Sequence, residues 1–212
     1  VAIQPLPQHH LLDLGCGNGW IAEYISDHTG AHITGLDYMP VAIQQAQART
    51  AAKADRLTFL VGDINALALP TQAFDVIISI DTIYFSHDYA ATIGQLCQAL
   101  RPGGQLAFLF AHGWGPWLAV EAFDPATLAP DKTPLGLALQ ALGLAFTVQD
   151  FTADDYRLAQ WRKQVLTELK PQFEAENLLV IYENRLGEAN GISRAVELRL
   201  HRRYLYHVQL AA

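Results

Sequence analysis

The chain has 212 residues, of which 51% are hydrophobic and only 17% are charged. This length and composition predict one folded domain with a sizeable buried core, and they exclude an intrinsically disordered protein. The 21 acidic and 14 basic side chains give a formal net charge of -7. An acidic surface repels phosphate groups, so the composition argues against nucleic acid or an anionic membrane as a partner.

The cysteines, the first residues and the hydropathy all favour a cytoplasmic protein. Cys16 and Cys97 are the only two cysteines, and their spacing fits neither a disulfide framework nor a metal site. Residues 1–7 lack the charged and apolar regions of a signal peptide. No segment approaches the ~20 apolar residues of a membrane span. We therefore expect no bound metal and no membrane span.

Apolar segments alternate with helix-forming segments through the first half of the chain. The apolar runs predict strands over residues 10–14, 31–37, 57–61, 74–80 and 105–110. Helical spacing and composition predict helices over residues 20–28, 41–53 and 88–100. Strands that are apolar throughout and alternate with helices indicate an α/β fold with a mostly parallel sheet covered on both faces.

The second half of the chain is less regular. We expect a loop at 112–117, a helix over 134–142, a sixth strand over 145–151 and a last strand over 203–210. Between the last two strands, Asp154 or Asp155 is expected to cap a long helix that runs through Lys170. Pro171 is expected to interrupt this helix, which resumes through about Leu186.

The clearest functional signal is the glycine-rich turn between the first strand and the first helix, which contains Gly15, Gly17 and Gly19. Side chains at these positions would keep a ligand away from the backbone, and glycine also permits positive φ. The helix that follows has free N–H groups at its start. Asp37 ends the next strand, where a carboxylate can accept hydrogen bonds from both hydroxyls of a ribose. The two features together predict a nucleotide site.

The surrounding acids indicate which kind of nucleotide would fit. The dinucleotide fingerprint is G-x-G-x-x-G, whereas this turn has the spacing G-x-G-x-G. Asp13, two residues before the turn, would be poorly placed beside a pyrophosphate but suits a cationic ligand such as a sulfonium with an ammonium group. Asp63, at the end of the third strand, can accept a hydrogen bond from an adenine amino group.

Five segments, in this order, resemble the motifs of the class I S-adenosylmethionine-dependent methyltransferases. They are Asp13–Gly19, Leu36-Asp37, Gly62-Asp63-Ile64, Phe74–Ser79 and Leu100–Gly104. The resemblance covers residues 10–110. It implies a Rossmann-like, seven-stranded sheet whose last strand is antiparallel, and residues 203–210 fit that strand.

The same resemblance implies the cofactor and the residues that hold it. The cofactor would be S-adenosylmethionine, and the product S-adenosylhomocysteine. Asp13 and the glycine turn would line the methionine part, Asp37 would bind the ribose, and Asp63 would bind the adenine. The residues expected at the cofactor are Asp13, Gly15, Cys16, Gly17, Asn18, Gly19, Asp37, Tyr38, Gly62, Asp63, Ile64 and Ser79.

The second half resembles, more loosely, the sarcosine and dimethylglycine methyltransferases and the cyclopropane fatty acid synthases. In that branch a helical insertion before the last strand forms a lid, so we expect residues 1–212 to form a single methyltransferase domain with a lid at 152–190. Aromatic residues of this segment, such as Trp161 and Tyr182, would wall the site or, alternatively, simply pack in the core. Members of the family usually also carry an N-terminal helix that covers the cofactor, whereas very little precedes the first strand here.

Candidate catalytic residues follow the fourth and fifth strands, because ligands bind at the carboxyl ends of strands in open α/β sheets. They are Asp81, Tyr84 and His112. Methyl transfer needs mainly alignment and sometimes a base, and His112 is the best base candidate because histidine titrates near neutral pH. Asp81 and Tyr84 are expected to shape the site. The Asn/Asp-Pro-Pro-aromatic signature of nucleic-acid amino methylases does not follow the fourth strand, which favours a small-molecule acceptor.

The sequence therefore predicts methyl transfer from S-adenosylmethionine to a nitrogen or oxygen atom of a small molecule, by a monomer or a homodimer. Two alternatives remain at this point. An NAD-dependent oxidoreductase would use a similar sheet, but the glycine spacing disfavours it. A non-catalytic module that binds S-adenosylmethionine stays open, because no residue of the sequence must be catalytic.

Overall fold

The computed structural model describes residues 3–211 of the chain. Strands and helices alternate as predicted for an α/β protein. The strands are β1 (His10–Leu14), β2 (His32–Asp37), β3 (Leu57–Val61), β4 (Phe74–Ile80), β5 (Leu100–Gly113), β6 (Phe146–Asp150) and β7 (His201–Gln209). The α-helices are α1 (Trp20–Thr29), α2 (Pro40–Arg49), α3 (Tyr89–Ala99), α4 (Pro134–Ala141), α5 (Thr152–Ala175) and α6 (Leu179–Glu197). No helix within residues 3–211 is long and apolar enough to cross a membrane.

The seven strands form one sheet in the order β3-β2-β1-β4-β5-β7-β6. The pairs β1–β2, β1–β4, β2–β3 and β4–β5 are parallel. The last strand is antiparallel to β5, since the N–H of Leu210 donates to the oxygen of Gly104 and the N–H of Gly103 donates to the oxygen of Ala211. The predicted fold class, a Rossmann-like and mostly parallel seven-stranded sheet with helices, is confirmed.

The position of β1 explains its sequence. It lies between β2 and β4, and its side chains Leu11, Leu12 and Leu14 are buried. The chain proceeds from β1 to β2 and β3 on one side, and β4 and β5 lie on the other side. In open α/β sheets, the carboxyl ends of strands at such a change of direction form a crevice in which ligands bind. The glycine turn follows β1 at this crevice.

The chain divides into two compact units. The first contains the residues through Phe110 together with Pro134–Val148 and the residues from Leu205 onward. Its core includes a cluster of buried apolar side chains from β1, β2, β3 and β4, among them Leu11, Ile33, Phe59 and Val76.

The second unit contains Ala111–Thr133 and Gln149–Tyr204. Helices α5 and α6 pack against each other within it. A buried polar cluster also belongs to this unit. The carboxylate of Asp155 lies 2.8 Å from Nε2 of His201 and accepts a hydrogen bond of 2.9 Å from Nη1 of Arg203.

The structure changes the predicted start of α5. The helix begins at Thr152, whose N–H donates to Oδ1 of Asp150 at 2.7 Å. Asp154 and Asp155 therefore lie inside the first turn and do not cap the helix. The prediction of either as the cap was wrong because an acid two positions upstream of the helix, Asp150, accepts that N–H, while Asp155 is turned into the buried cluster.

The predicted break at Pro171 was also wrong, since α5 continues to Ala175. Pro171 has no N–H to donate to the carbonyl of Thr167. Both residues are exposed, so water can donate to that carbonyl instead. The turn comes instead at Asn177, where φ is 57° and the next N–H, that of Leu178, bonds back to the oxygen of Phe173. Asparagine tolerates this left-handed conformation better than most residues.

Further boundaries differ from the sequence expectation, and β5 includes His112 and Gly113, which were wrongly predicted as loop. Helix α6 continues past Leu186 to Glu197 and includes Gly187 and Gly191. A glycine inside a helix costs only about 1 kcal/mol, which packing of α6 on α5 can offset. Strand β5 begins at Leu100 and absorbs the proline-glycine segment through an irregularity in its register with β4.

The segment predicted as a lid, residues 152–190, consists of α5 and most of α6. Within it Trp161 is largely exposed, whereas Tyr182 is buried and contacts Phe173. A closing movement of this segment, and the treatment of residues 1–212 as one domain, stay predictions. Residues 1, 2 and 212 of that domain lie outside the described part of the chain.

Candidate functional site

The glycine turn is shaped first by packing inside the first unit. Gly15 and Gly19 both have positive φ, near 80°. A Cβ atom on Gly15 would collide with the side chain of Thr82, and one on Gly19 would collide with the ring of Phe59. These two glycines are thus required by the close approach of neighbouring side chains, and not only by a ligand as the sequence suggested.

Gly17 and Asp37 join the turn to the end of β2. A Cβ atom on Gly17 would meet nothing within 4 Å, so the space beside this residue is open. The N–H of Gly17 donates to Oδ2 of Asp37 at 2.8 Å, and the N–H of Met39 donates to Oδ1 at 2.9 Å. Two backbone donors therefore fix the orientation of the Asp37 carboxylate, and the remaining lone pairs of its oxygens can still accept ligand hydroxyls.

Asp63 is held in a similar way after β3. Its Oδ1 atom accepts from the N–H of Asn65 at 2.9 Å and from Nδ2 of Asn65 at 3.3 Å. The neighbouring Gly62 packs closely on Leu36, so that a side chain at Gly62 would collide with it.

A cleft of about 540 Å³ opens at these strand ends and lies wholly within the first unit. Six of the residues predicted to bind the cofactor line it: Gly15, Asp37, Tyr38, Gly62, Asp63 and Ile64. The structure adds lining residues that were not among those predicted to bind the cofactor, namely Leu14, Leu36, Met39, Asn65, Thr82, Phe85 and His87. The last three follow β4, and the parallel pairing of β4 with β1 was a usable signal for placing them here.

Asp13 lies behind the turn. Its side chain is almost fully buried, and Oδ2 has no hydrogen-bond partner among residues 3–211. Burial, together with the negative charge of Asp37, raises the pKa of Asp13 to about 7. Near neutral pH this carboxyl group is therefore poised between its protonated and ionised forms, and a nearby cation would favour the ionised form.

The other predicted cofactor residues lie around the turn. Cys16 is buried, and burial with the charges of Asp13 and Asp37 raises its thiol pKa to about 12, so the thiol is not a nucleophile. Ser79 is fully buried, and its hydroxyl has no partner within the described part of the chain. Asn18 is half-buried beside the start of α1.

Two of the predicted catalytic residues meet after β4. The hydroxyl of Tyr84 donates to Oδ1 of Asp81 at 3.2 Å, and the Tyr84 ring stacks on Phe110 with the ring centres 4.9 Å apart. Asp81 has a φ of 53°, which is uncommon for a residue other than glycine. Such strained positions are frequent at functional sites.

The third predicted catalytic residue, His112, belongs to the second unit. Its Nε2 atom lies 3.2 Å from Oγ1 of Thr127. Burial and the nearby His201 lower the pKa of His112 below its ordinary value, so the ring is neutral at pH 7.

Comparison with known families decides the class of this site. A family model described as a methyltransferase domain matches residues 11–104. Residues 11–104 are therefore similar to the methyltransferase domain family, and this segment holds the motifs that resemble the class I S-adenosylmethionine-dependent enzymes. The match contains the glycine turn, Asp37 and Asp63, and it confirms for this segment the predicted resemblance to the methyltransferases.

Curated relatives of this methyltransferase domain are longer proteins. A sterol 24-C-methyltransferase of Gibberella zeae is 30% identical over 129 residues, which are 60% of this chain and 32% of the relative. A ubiquinone biosynthesis O-methyltransferase of Methylobacterium nodulans is 33% identical over 100 residues, 47% of this chain and 40% of the relative. The chain thus spans about a third to two fifths of these relatives.

Solved structures share the fold at low identity. Phosphoethanolamine N-methyltransferase 2 of Haemonchus contortus, solved with phosphomonomethylethanolamine and S-adenosylhomocysteine, has a TM-score of 0.82 at 17% identity, over 98% of this chain and 50% of that one. The cyclopropane synthase MmaA2 of Mycobacterium tuberculosis has a TM-score of 0.78 at 18% identity, over 96% of this chain and 79% of that one.

The residues present in the cleft fit the cofactor of this methyltransferase domain. An adenosyl group carries a ribose diol and an amino group, and the cleft presents the carboxylates of Asp37 and Asp63 as acceptors among apolar side chains. Beyond them, the orphaned oxygen of Asp13 suits the positive charge of a sulfonium or ammonium group.

The raised pKa of Asp13 predicts a specific pH dependence of stability. The group loses its proton near pH 4 in the unfolded chain and near pH 7 in the folded one. The folded state is therefore penalised progressively as the pH rises from about 4 to 7. The variant Asp13→Asn removes this titration, so its stability relative to the parent should increase over the same range, by a few kcal/mol in total.

Urea unfolding of the ligand-free protein between pH 4 and pH 8 measures this difference. Asp55→Asn, at an exposed carboxyl group, is the matched control and should follow the parent at every pH. If the free energies of unfolding of Asp13→Asn and the parent change in parallel with pH, Asp13 is ionised over the whole range. The raised pKa of Asp13 would then be wrong.

Proposed function

We propose that the chain transfers the methyl group of S-adenosylmethionine to a nitrogen or oxygen atom of a small-molecule acceptor. The observation that carries the proposal is the pair of oriented carboxylates in one cleft, Asp37 fixed by Gly17 and Met39 and Asp63 fixed by Asn65. This arrangement supports recognition of both ends of an adenosine.

The charge distribution supports a cationic cofactor over a dinucleotide. Asp37 is close enough to Asp13 for its negative charge to raise the pKa of Asp13. A pyrophosphate beside this pair would be repelled, whereas a sulfonium would be attracted. When bound, S-adenosylmethionine supplies an activated methyl group, and the acidic side chains keep its positive charge next to the glycine turn.

Asp81 and Tyr84 are proposed to orient the acceptor. Both residues follow β4, and Thr82, which comes directly after Asp81, lines the cofactor cleft. The hydrogen bond between their side chains and the stacking of Tyr84 on Phe110 limit their mobility. Because displacement at a methyl group depends on alignment, a rigid pair of polar groups at this point would contribute mainly by positioning.

His112 is proposed as the general base. The hydroxyl of Thr127 donates to the oxygen of Asp124 at 2.7 Å, so its oxygen accepts from Nε2 of His112. This bond places the proton of the neutral ring on Nε2. The lowered pKa keeps the ring unprotonated at pH 7, as a base requires.

The nature of the acceptor follows from the charge of the chain and from its relatives. The net charge of -7 disfavours nucleic acid. One relative is named an O-methyltransferase of ubiquinone biosynthesis, and one neighbour in structure is an N-methyltransferase solved with a phosphorylated amine. A small metabolite or lipid precursor with an amine or hydroxyl group is therefore the proposed class.

Transfer of a labelled methyl group tests the function. The protein is incubated with S-adenosylmethionine labelled in the methyl group and with panels of amines and of hydroxyl compounds. We expect a labelled product and an equal amount of S-adenosylhomocysteine with at least one acceptor. Tight binding of the cofactor without transfer to any acceptor would favour the non-catalytic module.

The role of His112 predicts an acidic limb in the rate profile. The base must be unprotonated, so the rate should fall as the pH decreases through a value below the ordinary pKa of histidine. In His112→Gln the rate should fall by roughly 10²–10⁴-fold and lose this limb, while the affinity for S-adenosylhomocysteine is unchanged.

The control for this variant is His28→Asn, at an exposed histidine of α1 that contacts Tyr24. It should keep the rate and the profile of the parent. If His112→Gln retains the parental rate and its acidic limb, another group is the base or none is needed.

A further inference from the structure

We propose that Asn65 is a positioning residue that makes the cleft selective for an amino group on the purine of the cofactor. The inference deepens the proposed function and rests on it, because it concerns the same cleft. Asn65 takes part in one hydrogen bond from its backbone N–H and three at its side-chain amide, and the sequence motifs assign none of them.

Asn65 fixes the carboxylate of Asp63. The backbone N–H and Nδ2 of Asn65 both donate to Oδ1 of Asp63, at 2.9 and 3.3 Å. Within residues 3–211 no donor is placed on Oδ2. With Oδ1 occupied twice, Oδ2 is the atom left to accept a hydrogen bond from a ligand in the cleft, and the side chain cannot rotate without breaking both bonds.

The same amide holds the segment after β4. Nδ2 of Asn65 donates to the oxygen of Phe85 at 2.9 Å, and Oδ1 accepts from the N–H of His87 at 2.8 Å. Phe85 and His87 line the cleft together with Asp63. Asn65 thus bridges two walls of the cleft, one from the end of β3 and one from the end of β4.

These bonds also fix which way the amide faces. Its oxygen must face the N–H of His87, and its nitrogen must face two acceptors, the oxygen of Phe85 and Oδ1 of Asp63. An aspartate at this position would keep the bond from His87 but place a second carboxylate against both acceptors. The environment therefore selects asparagine, and not merely a polar residue of its size.

The chemical consequence is discrimination between purines. A fixed carboxylate oxygen accepts from the amino group of adenine, whereas hypoxanthine carries a carbonyl oxygen at that position and would be repelled. A site built around a hydrogen bond rejects an analogue that cannot make it, since the ligand then covers a partner that is left unpaired. If Asn65 keeps Oδ2 of Asp63 in place, its loss should weaken the discrimination and not only the affinity.

Calorimetric titration with S-adenosylhomocysteine and with S-inosylhomocysteine measures the discrimination without requiring catalysis. For the parent we expect a preference for the adenine compound of roughly 10- to 100-fold, as for one hydrogen bond to a charged group. Asn65→Ala and Asn65→Asp keep the backbone bond to Asp63 but lose the one from the amide, so both should lose part of this preference. Asn65→Asp also covers the case in which the alanine variant does not fold.

The control is Gln47→Ala. The side-chain amide of Gln47, in α2, donates a hydrogen bond of 2.8 Å to the backbone oxygen of Phe59, in β3. Gln47 thus also joins two elements of the first unit, but it is not one of the described residues that line the cleft. This variant should keep the parental preference for adenine, even if its stability falls.

Three results would overturn the inference. Equal weakening of both ligands in the Asn65 variants would mean that Asn65 has only a structural role. A parent that binds the two ligands equally would mean that the cleft does not read the amino group, while the proposed function stands. A parent that binds neither ligand would overturn the proposed function as well.

Discussion

The site depends on one interaction, the hydrogen bonds that the Asp37 carboxylate accepts from the backbone of Gly17 and Met39. They connect the turn after β1 to the end of β2, so the carboxylate proposed to accept from the ribose and the backbone proposed to face the rest of the ligand move together. The turn can make this connection because Gly15 and Gly19 leave room for Thr82 and Phe59. A substitution at either glycine would therefore shift Asp37 by displacing the turn.

Around this connection the protein places negative charge in two different environments. Asp37 and Asp63 lie at the cleft, where backbone and side-chain donors orient them. Asp13 is buried behind them with an oxygen that nothing in the described part of the chain satisfies, and its pKa is raised for that reason. An arrangement of this kind is costly without a ligand and becomes favourable when a cation arrives. Stability and binding are thus connected through the same carboxyl group.

The sequence predicted the parts of the fold that depend on local apolar runs and on glycine. The bounds of β1, β3 and β4 agree with the structure, because each is a continuous apolar segment between clear turn residues. The course of α5 past Pro171 was missed, since solvent exposure, which sequence alone does not give, decides whether a proline is tolerated. Asn65 was missed for a related reason: its importance comes from contacts with residues 20 or more positions away, which only the pairing of strands brings together.

The most direct test of the account is calorimetric titration of the parent and of Asp37→Ala with S-adenosylhomocysteine and with NAD. The parent should bind S-adenosylhomocysteine and have little affinity for NAD. Asp37→Ala removes the two charge-assisted hydrogen bonds proposed between the carboxylate and the ribose. Its affinity for S-adenosylhomocysteine should therefore fall roughly 100-fold or more, while its circular dichroism stays that of the parent. Tight binding of NAD with no response to S-adenosylhomocysteine, or an Asp37→Ala variant that binds as well as the parent, would contradict it.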